Sequence, residues 1–182
     1  LLTYGIFSKA SIANPQDLKG KVMAISSPGA LPDLLARAVL EKNDIPSSDV
    51  RFAIMGSDAD RFRAVMAGVV DAAAASTEFV PIAPSSVKLL VHAHDAVPNY
   101  VRLCLYASGK TITQRRDQLV RFLAAQMAGV RHARNNRDDA IRLAKEMTEA
   151  KADDPRAAYI YDEVIRYGAA TPDMPIPMDK LA

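Results

Sequence analysis

Residues 17–30 read Asp-Leu-Lys-Gly-Lys-Val-Met-Ala-Ile-Ser-Ser-Pro-Gly-Ala. The apolar run at residues 22–26 predicts a buried strand, and the Ser27-Pro28-Gly29 sequence predicts the turn that ends it. Apolar residues then recur at helical spacing from Leu31 to Lys42. The stretch therefore predicts a strand that leads directly into a helix.

The same alternation continues along the first two-thirds of the chain. Strands are predicted at residues 50–55, 69–76 and 87–92, with a helix at 58–67 and a short helical turn at 77–83. Repeated strand–helix–strand units indicate a mostly parallel sheet with helices on its faces. We therefore expect an α/β fold.

The last third of the chain carries helical patterns and no strands of its own. Helices are predicted to begin at Thr111, where Gln114 completes a capping box, at Asn136, and at Asp154 followed by Pro155. The residues that the third of these helices is expected to bury are Ala158, Tyr161, Val164 and Ile165. Helices of this kind normally cover a sheet, so we expect them to belong to a second lobe whose strands precede Leu1.

This reasoning divides the chain into four segments. Residues 1–13 are interpreted as a hinge strand (residues 2–7) and linker, and residues 14–99 as a complete α/β lobe. Residues 100–110 are interpreted as a returning hinge strand (residues 100–107), and residues 111–182 as the helical part of the other lobe. The division rests on the strand count alone.

Composition excludes several classes of protein. The chain has 23 Lys and Arg against 21 Asp and Glu, a net charge of +2, and its 6% aromatic residues include no Trp. These values argue against a nucleic-acid partner. Cys104 is the only cysteine, which excludes an intramolecular disulfide and a cysteine-rich zinc site. It lies in a predicted apolar strand and is expected to be a buried, inert thiol.

No catalytic constellation is apparent. His92 and His94 form a possible arm of a metal site, but no third ligand follows at a recognisable spacing, and a solvated loop is the favoured interpretation. Asp58 and Asp60 fit the usual excess of acidic residues at a helix start. The sequence lacks a nucleophile elbow, a phosphate loop and a dinucleotide fingerprint. We therefore predict no catalytic residue, no metal and no cofactor.

Three predicted strands end in junctions that suit ligand binding. Each places a small hydroxyl residue beside the first amides of a helix, and such amides have no partner within the helix. In open α/β sheets ligands bind beyond the carboxyl ends of the strands, where these amides attract acidic groups. Simple capping by Ser27, Ser57 and Ser76 is an equally open interpretation. The candidate ligand-binding residues are Ser27, Pro28, Gly29, Ala30, Gly56, Ser57, Ser76, Thr77 and Glu78.

The ordered series of motifs resembles a known family. Residues 17–22 with 25–29 resemble the "DLKGK-strand-SPGS" opening of the second lobe in periplasmic substrate-binding proteins of ABC importers. Residues 64–73 resemble the family's "aLlaGqvDAa" stretch, and residues 119–124 resemble its "lvraFlkA" helix. The group that is most similar contains the thiamine-pyrimidine-synthesis-like and alkanesulfonate-binding proteins. The resemblance extends over about residues 14–167.

The resemblance implies a type II periplasmic-binding fold, here truncated at the N-terminus, with one complete lobe and the helical part of a second. It implies a periplasmic protein without catalytic activity or cofactor that captures a small ligand between two lobes and docks on an ABC permease. Relatives recognise aliphatic sulfonates, nitrate, pyrimidines and aromatic acids. Leu31 and Pro32 replace the family's frequent Ser or Thr, which argues against a highly charged ligand. Glu78 would disfavour an anion if it pointed into the cleft.

Two other functions remain open at this point. One is an enzyme of thiamine-pyrimidine synthesis, although its relatives rely on clustered His and Cys residues that this sequence lacks. The other is the ligand-sensing domain of a transcription regulator, which an upstream helix-turn-helix would favour. We also expect self-association or exchange of helices, because a helical part without its sheet leaves apolar side chains uncovered. The residues concerned are Phe122, Leu123, Met127, Ile141, Leu143, Tyr161 and Ile165.

Overall fold

The computed structural model describes residues 3–98, 104–171 and 173. The chain divides into two compact units, one of residues 2–100 and one formed chiefly by residues 101–182. The first unit contains a five-stranded sheet. Within the described residues the second unit contains helices alone.

The sheet is formed by β1 (Tyr4–Lys9), β2 (Val22–Ile25), β3 (Arg51–Ile54), β4 (Ala72–Ser76) and β5 (Val87–His92), in the order β3-β2-β4-β1-β5. Strand β2 is parallel to β3 and β4, whereas β1 is antiparallel to both β4 and β5. Four strands therefore share one direction. The predicted α/β fold with a mostly parallel sheet is confirmed.

Strand β1 lies inside the sheet of the first unit, between β4 and β5. A Cβ atom on Gly5 would lie 2.4 Å from Cδ1 of Leu89 and 2.7 Å from the carbonyl oxygen of Val91, so the close approach of β1 to β5 requires glycine. The sequence places residues 1–13 in a hinge strand and linker. That the strand is a hinge stays a prediction.

Helices cover both faces of this sheet. Helix α1 (Leu31–Lys42) and the short α3 (Ala93–Ala96) lie on one face. Helix α2 (Asp58–Met66) and a 3₁₀ segment at Thr77–Ile82 lie on the other. The four alanines of β4 are at most 1% exposed, and their small side chains let helices pack closely on either side. The bounds predicted for α1 are confirmed at both ends, whereas the loop predicted at residues 95–98 begins within α3.

The second unit contains α4 (Gly109–Gln114), α5 (Arg116–Asn135), α6 (Arg137–Met147) and α7 (Arg156–Arg166). Helices α6 and α7 are joined by two 2.8 Å hydrogen bonds from the Arg137 guanidinium to the Asp162 carboxylate. The hydroxyl of Tyr161 donates to the carbonyls of Ala133 (3.0 Å) and Arg134 (2.9 Å), which fixes α7 against the end of α5.

Two helix starts differ from the sequence predictions. The hydroxyl of Ser108 accepts the N–H of Thr111, so α4 begins a turn earlier and the capping box predicted at Thr111 is wrong. The Asp154 carboxylate accepts the N–H of Arg156 at 2.9 Å and caps α7, but the first helical residue is Arg156 rather than Pro155.

The burial predicted for the helical unit is also wrong. Ile165 is 37% exposed, and the three other apolar residues assigned to the buried face of α7 are half-buried. Among the described residues of this unit only Glu163 is buried. Cys104 is exposed in an irregular segment instead of buried in a strand. Amphipathic stripes are buried only where a second layer covers them, and the described part of this unit supplies no sheet. Residues 100–103 of the predicted returning strand lie outside the described residues, and residues 104–107 form no strand.

Candidate functional site

The three predicted junctions lie at one edge of the sheet. Because β3, β2 and β4 are adjacent and parallel, their carboxyl ends are side by side. Adjacent strands are about 4.8 Å apart, so the outer two junctions are separated by about 10 Å. The start of β1 and the end of β5 reach the same edge, since Tyr4 pairs with Ser76 and Gly5 with His92.

A topological switch point lies within this edge. The chain leaves β2 into α1 on one face of the sheet, and leaves the neighbouring β4 into the Thr77–Ile82 segment on the other face. Connections that diverge from adjacent strand ends open a crevice, which is the usual ligand position in open α/β sheets. Residues 27–30 and 76–78 flank this crevice.

The first junction is a turn closed by its own hydrogen bonds. Gly29 has φ +77°, the left-handed region that glycine adopts without steric cost. Its N–H donates to Oδ2 of Asp33 at 2.8 Å, and the N–H of Ala30 donates to the carbonyl of Ser27 at 3.2 Å. The sequence singles out these two amides as ligand donors, but the structure satisfies both of them inside the turn.

Other donors of the first junction remain open. Helix α1 begins at Leu31, Pro32 has no N–H, and the amides of Leu31 and Asp33 have no hydrogen-bond acceptor among the described residues. The side chain of Ala30 cannot cap the helix. Ser27 and Pro28 are exposed, and the Ser27 hydroxyl makes no hydrogen bond to the described residues. A ligand at this junction would therefore meet one hydroxyl and two amides.

The second junction is a capping box. The Ser57 hydroxyl accepts the N–H of Asp60 at 3.2 Å, while the Asp60 carboxylate accepts the Ser57 hydroxyl at 2.7 Å and the Ser57 N–H at 3.2 Å. These hydrogen bonds from Ser57, helped by Arg63, lower the pKa of Asp60. The interpretation that Ser57 caps a helix is thus confirmed for α2. The amides of Gly56, Asp58 and Ala59 remain without an internal acceptor among the described residues.

A buried arginine beneath this junction is the feature that sequence reasoning missed. The Arg61 side chain is 2% exposed. Its Nε donates to the carbonyl of Ala74 at 2.7 Å, and its Nη1 donates to the carbonyl of Gly56 at 2.5 Å. Its Nη2 pairs with Asp58, whose other carboxylate oxygen accepts the Tyr4 hydroxyl at 2.6 Å. The Asp58-to-Arg61 spacing of three residues is a signal for this pair, but its burial is set by β1 and β4.

The third junction is partly buried. The Ser76 hydroxyl accepts the N–H of Glu78 at 3.4 Å, and the N–H of Thr77 donates to the carbonyl of Thr3 at 3.0 Å. Thr77 is fully buried, so its side chain lies beneath the surface of the junction. Ser76 and Glu78 are half-buried. A carboxylate at this point favours a ligand that also carries a hydrogen-bond donor.

The two histidines lie at the end of β5. Their rings are 4.9 Å apart, and Nε2 of His94 lies 3.1 Å from Oδ1 of Asp95. Both residues are half-buried and His94 belongs to α3, so the solvated-loop interpretation is wrong. Within the described ranges no group of three or more His, Cys, Asp or Glu residues is placed to hold a metal ion. No helix in those ranges has the length and apolar character needed to cross a bilayer.

Solved structures with the same fold are periplasmic binding proteins. The periplasmic aliphatic sulphonate binding protein SsuA from Escherichia coli matches with a TM-score of 0.72 and 20% identity over 87% of this chain and 51% of its own. The alkanesulfonate-binding protein SsuA from Xanthomonas axonopodis pv. citri, bound to MOPS, matches with a TM-score of 0.65 and 17% identity over 91% and 55%. The chain thus spans about half the length of these structures. They define the class: a type II periplasmic-binding fold.

The family follows from the sequence. The profile of the family described as "NMT1/THI5 like" matches residues 2–140, so the chain belongs to that family. This confirms the resemblance inferred from residues 17–30 and from the motifs downstream. A comparison with curated protein sequences gave no match. These two structural neighbours are binding proteins by name.

Proposed function

We propose that this chain is the ligand-binding part of a solute receptor for an ABC-type importer. It captures a small organic molecule at the junction edge of the sheet, within a cleft between two lobes, and delivers it to a permease in the membrane. The observation that supports this most strongly is the row of three junctions at a switch point, with first-turn amides open at two of them. The place of action is the periplasm, as for the aliphatic sulphonate binding protein.

The donors at this edge favour a ligand with an acidic or strongly accepting head. The amide of Gly56 lies just before α2, those of Asp58 and Ala59 lie in its first turn, and those of Leu31 and Asp33 lie in the first turn of α1. Helix starts carry partial positive charge and bind carboxylates and sulfonates. Glu78 adds a hydrogen-bond acceptor nearby along the edge. We therefore propose a sulfonate, an aromatic acid or a pyrimidine-like molecule that also carries an amine or hydroxyl group.

Capture requires no chemical step. The junction amides are held in place by the capping box and by Arg61, so little conformational entropy is lost when a ligand accepts their hydrogen bonds. The ligand-bound form is the one that the permease recognises.

Calorimetry on the full-length protein tests this function. The probes are ethanesulfonate, taurine, benzoate and a hydroxymethylpyrimidine, each titrated separately. We expect saturable binding of at least one probe with one site per chain, together with a rise in Tm because the ligand binds only the folded state. If none of the four classes binds, or if a probe is consumed and a product appears, the receptor function is wrong.

A further inference from the structure

Arg61 is the largest fully buried side chain in the described part of the chain. Burying a guanidinium is costly unless every donor finds a partner. The acceptors of Arg61 come from three places: strand β4 at Ala74, the β3–α2 junction at Gly56, and the first turn of α2 at Asp58. Asp58 in turn binds the Tyr4 hydroxyl on β1.

We propose that Arg61 is a positioning residue for ligand binding, and that Asp58 and Tyr4 connect it to strand β1. This inference rests on the proposed function and identifies the side chain that orients the amides of the second junction. Tyr4 is hydrogen-bonded to Asp58, and Asp58 is paired with Arg61. A shift of β1, the strand interpreted as a hinge, would therefore change the position of the amides that bind the ligand.

The direction of the junction amides follows from the peptide geometry. Nη1 of Arg61 donates hydrogen bonds to two carbonyl oxygens, that of Gly56 at 2.5 Å and that of Met55 at 3.4 Å. In a planar trans peptide the N–H points away from the carbonyl of the same unit. Because the Met55 carbonyl faces Arg61, the N–H of Gly56 faces away from it. This exposed amide has no acceptor among the described residues, so a ligand can accept its hydrogen bond.

A purely structural arginine would satisfy its donors without affecting the site. The two roles differ in what they change: a structural role changes the stability, whereas a positioning role also changes the ligand affinity of the folded protein. Lysine at position 61 keeps the charge but lacks the fork that binds several carbonyls at once. Phenylalanine at position 4 removes one hydroxyl from the connection and leaves the ring in the core.

The test uses the full-length variants Arg61→Lys and Tyr4→Phe, with Arg51→Lys as the matched control. Arg51 is an exposed arginine on β3 outside this network. Each variant is titrated with the tightest-binding probe of the calorimetric panel at a temperature where it is fully folded. We expect the Kd to rise about tenfold in Arg61→Lys and severalfold in Tyr4→Phe, since each loses buried hydrogen bonds that hold the amides. The Kd of Arg51→Lys should stay unchanged.

A second readout separates this inference from the proposed function. In ¹⁵N spectra recorded without ligand, we expect hydrogen exchange at the amides of Ser57 and residue 61, which donate to Asp60 and to the Ser57 carbonyl, to accelerate in both variants, with Ala24 in β2 unaffected. If no probe binds the unaltered protein, the proposed function fails and the exchange rates alone decide the inference. Unchanged exchange at Ser57 and residue 61, or a Kd within twofold of the unaltered protein in Tyr4→Phe, would overturn it. Tyr4→Phe decides the case if Arg61→Lys does not fold.

Discussion

The Asp33 carboxylate accepts the backbone N–H of Gly29 at 2.8 Å and, through its other oxygen, the Nε of Arg37 at 2.8 Å. The start of α1 thus already holds an internal carboxylate that is only 3% exposed. A carboxylate is the group that a helix N-terminus attracts. A ligand must therefore use the Ser27 hydroxyl and the amides of α1 that Asp33 does not occupy.

Replacement of Asp33 by alanine should destabilise the protein. The change leaves the Gly29 N–H without its acceptor and removes the ion pair to Arg37, and we expect the free energy of unfolding to fall by about 1–3 kcal/mol. Urea denaturation measures this loss. Arg37→Ala is the control, since its half-exposed side chain makes the weaker interaction and should cost about 0–1 kcal/mol. Equal losses of stability in the two variants would show that the hydrogen bond from Gly29 to Asp33 does not stabilise the protein.

Replacement of Gly29 by valine should weaken ligand binding beyond its effect on stability. Gly29 (φ +77°) and Gly20 (φ +74°) share a left-handed backbone, and a Cβ on either would meet no atom within 4 Å. Both substitutions therefore carry similar strain, about 1–2 kcal/mol or more for a β-branched residue. Only Gly29 lies at the proposed site. Calorimetry should show a large loss of affinity in Gly29→Val and none in Gly20→Val, and equal affinities would contradict the site.

Acid stability should depend on Asp71. Its carboxylate accepts Nζ of Lys9 at 2.8 Å and the N–H of Val22 at 3.0 Å, which joins β1 to β2. The hydrogen bond from Lys9, followed by that from Val22, lowers the pKa of Asp71 from 3.8. A lowered pKa in the folded state means that the stabilisation is complete above 3.8 and is lost as the pH falls through the folded-state pKa below that value.

Asp71→Asn tests this dependence. At about pH 7 it should reduce the free energy of unfolding by roughly 1 kcal/mol, and this difference from the unaltered protein should shrink as the pH falls below 3.8. Urea unfolding over a series of neutral and acidic pH values gives the comparison. Glu41→Gln, at an exposed helical position in the same unit, should show no such change with pH because it starts with no difference. A difference for Asp71→Asn that persists undiminished at low pH would contradict the assignment.

The helical unit should associate through its uncovered apolar residues. Phe122 is 49% exposed, Leu123 41% and Leu143 41%. We expect the 182-residue chain to show concentration-dependent association in sedimentation velocity, because apolar area left in water costs about 25 cal/mol per Å². Phe122→Gln should reduce the association. Ile54→Gln, which alters an exposed apolar residue of the sheet unit, should not. A chain that stays monomeric over the whole concentration range would contradict this prediction.

Local patterns predicted the fold of the first unit well. Helix α1 begins at Leu31 and ends at Lys42, and β5 has the predicted bounds, because periodicity, proline and the following breaker all agree there. The same reasoning located three junctions, and the order of the strands brings them to one edge. Cys104 and the face of α7 were predicted to be buried, and this was wrong because burial depends on a covering layer that a single helix does not encode.

The hydrogen bonds within the site could not be predicted from the sequence, for a different reason. That Asp33 satisfies Gly29 depends on the rotamer of one side chain in the first turn of α1. The burial of Arg61 depends on β1 and β4, which lie far from it along the chain. A helical pattern places an arginine that follows two acidic residues on the surface by default. Only tertiary structure brings the carbonyl of Ala74 within its reach.

A crystal structure of the full-length protein with a solute that raises its Tm would locate the binding site. We expect the solute's acidic or accepting head to lie about 3 Å from the amides of Gly56 and Asp58 or from the Ser27 hydroxyl. We also expect the solute to occupy the crevice between the ends of β2 and β4. A solute bound away from all three junctions would show that the proposed site is wrong.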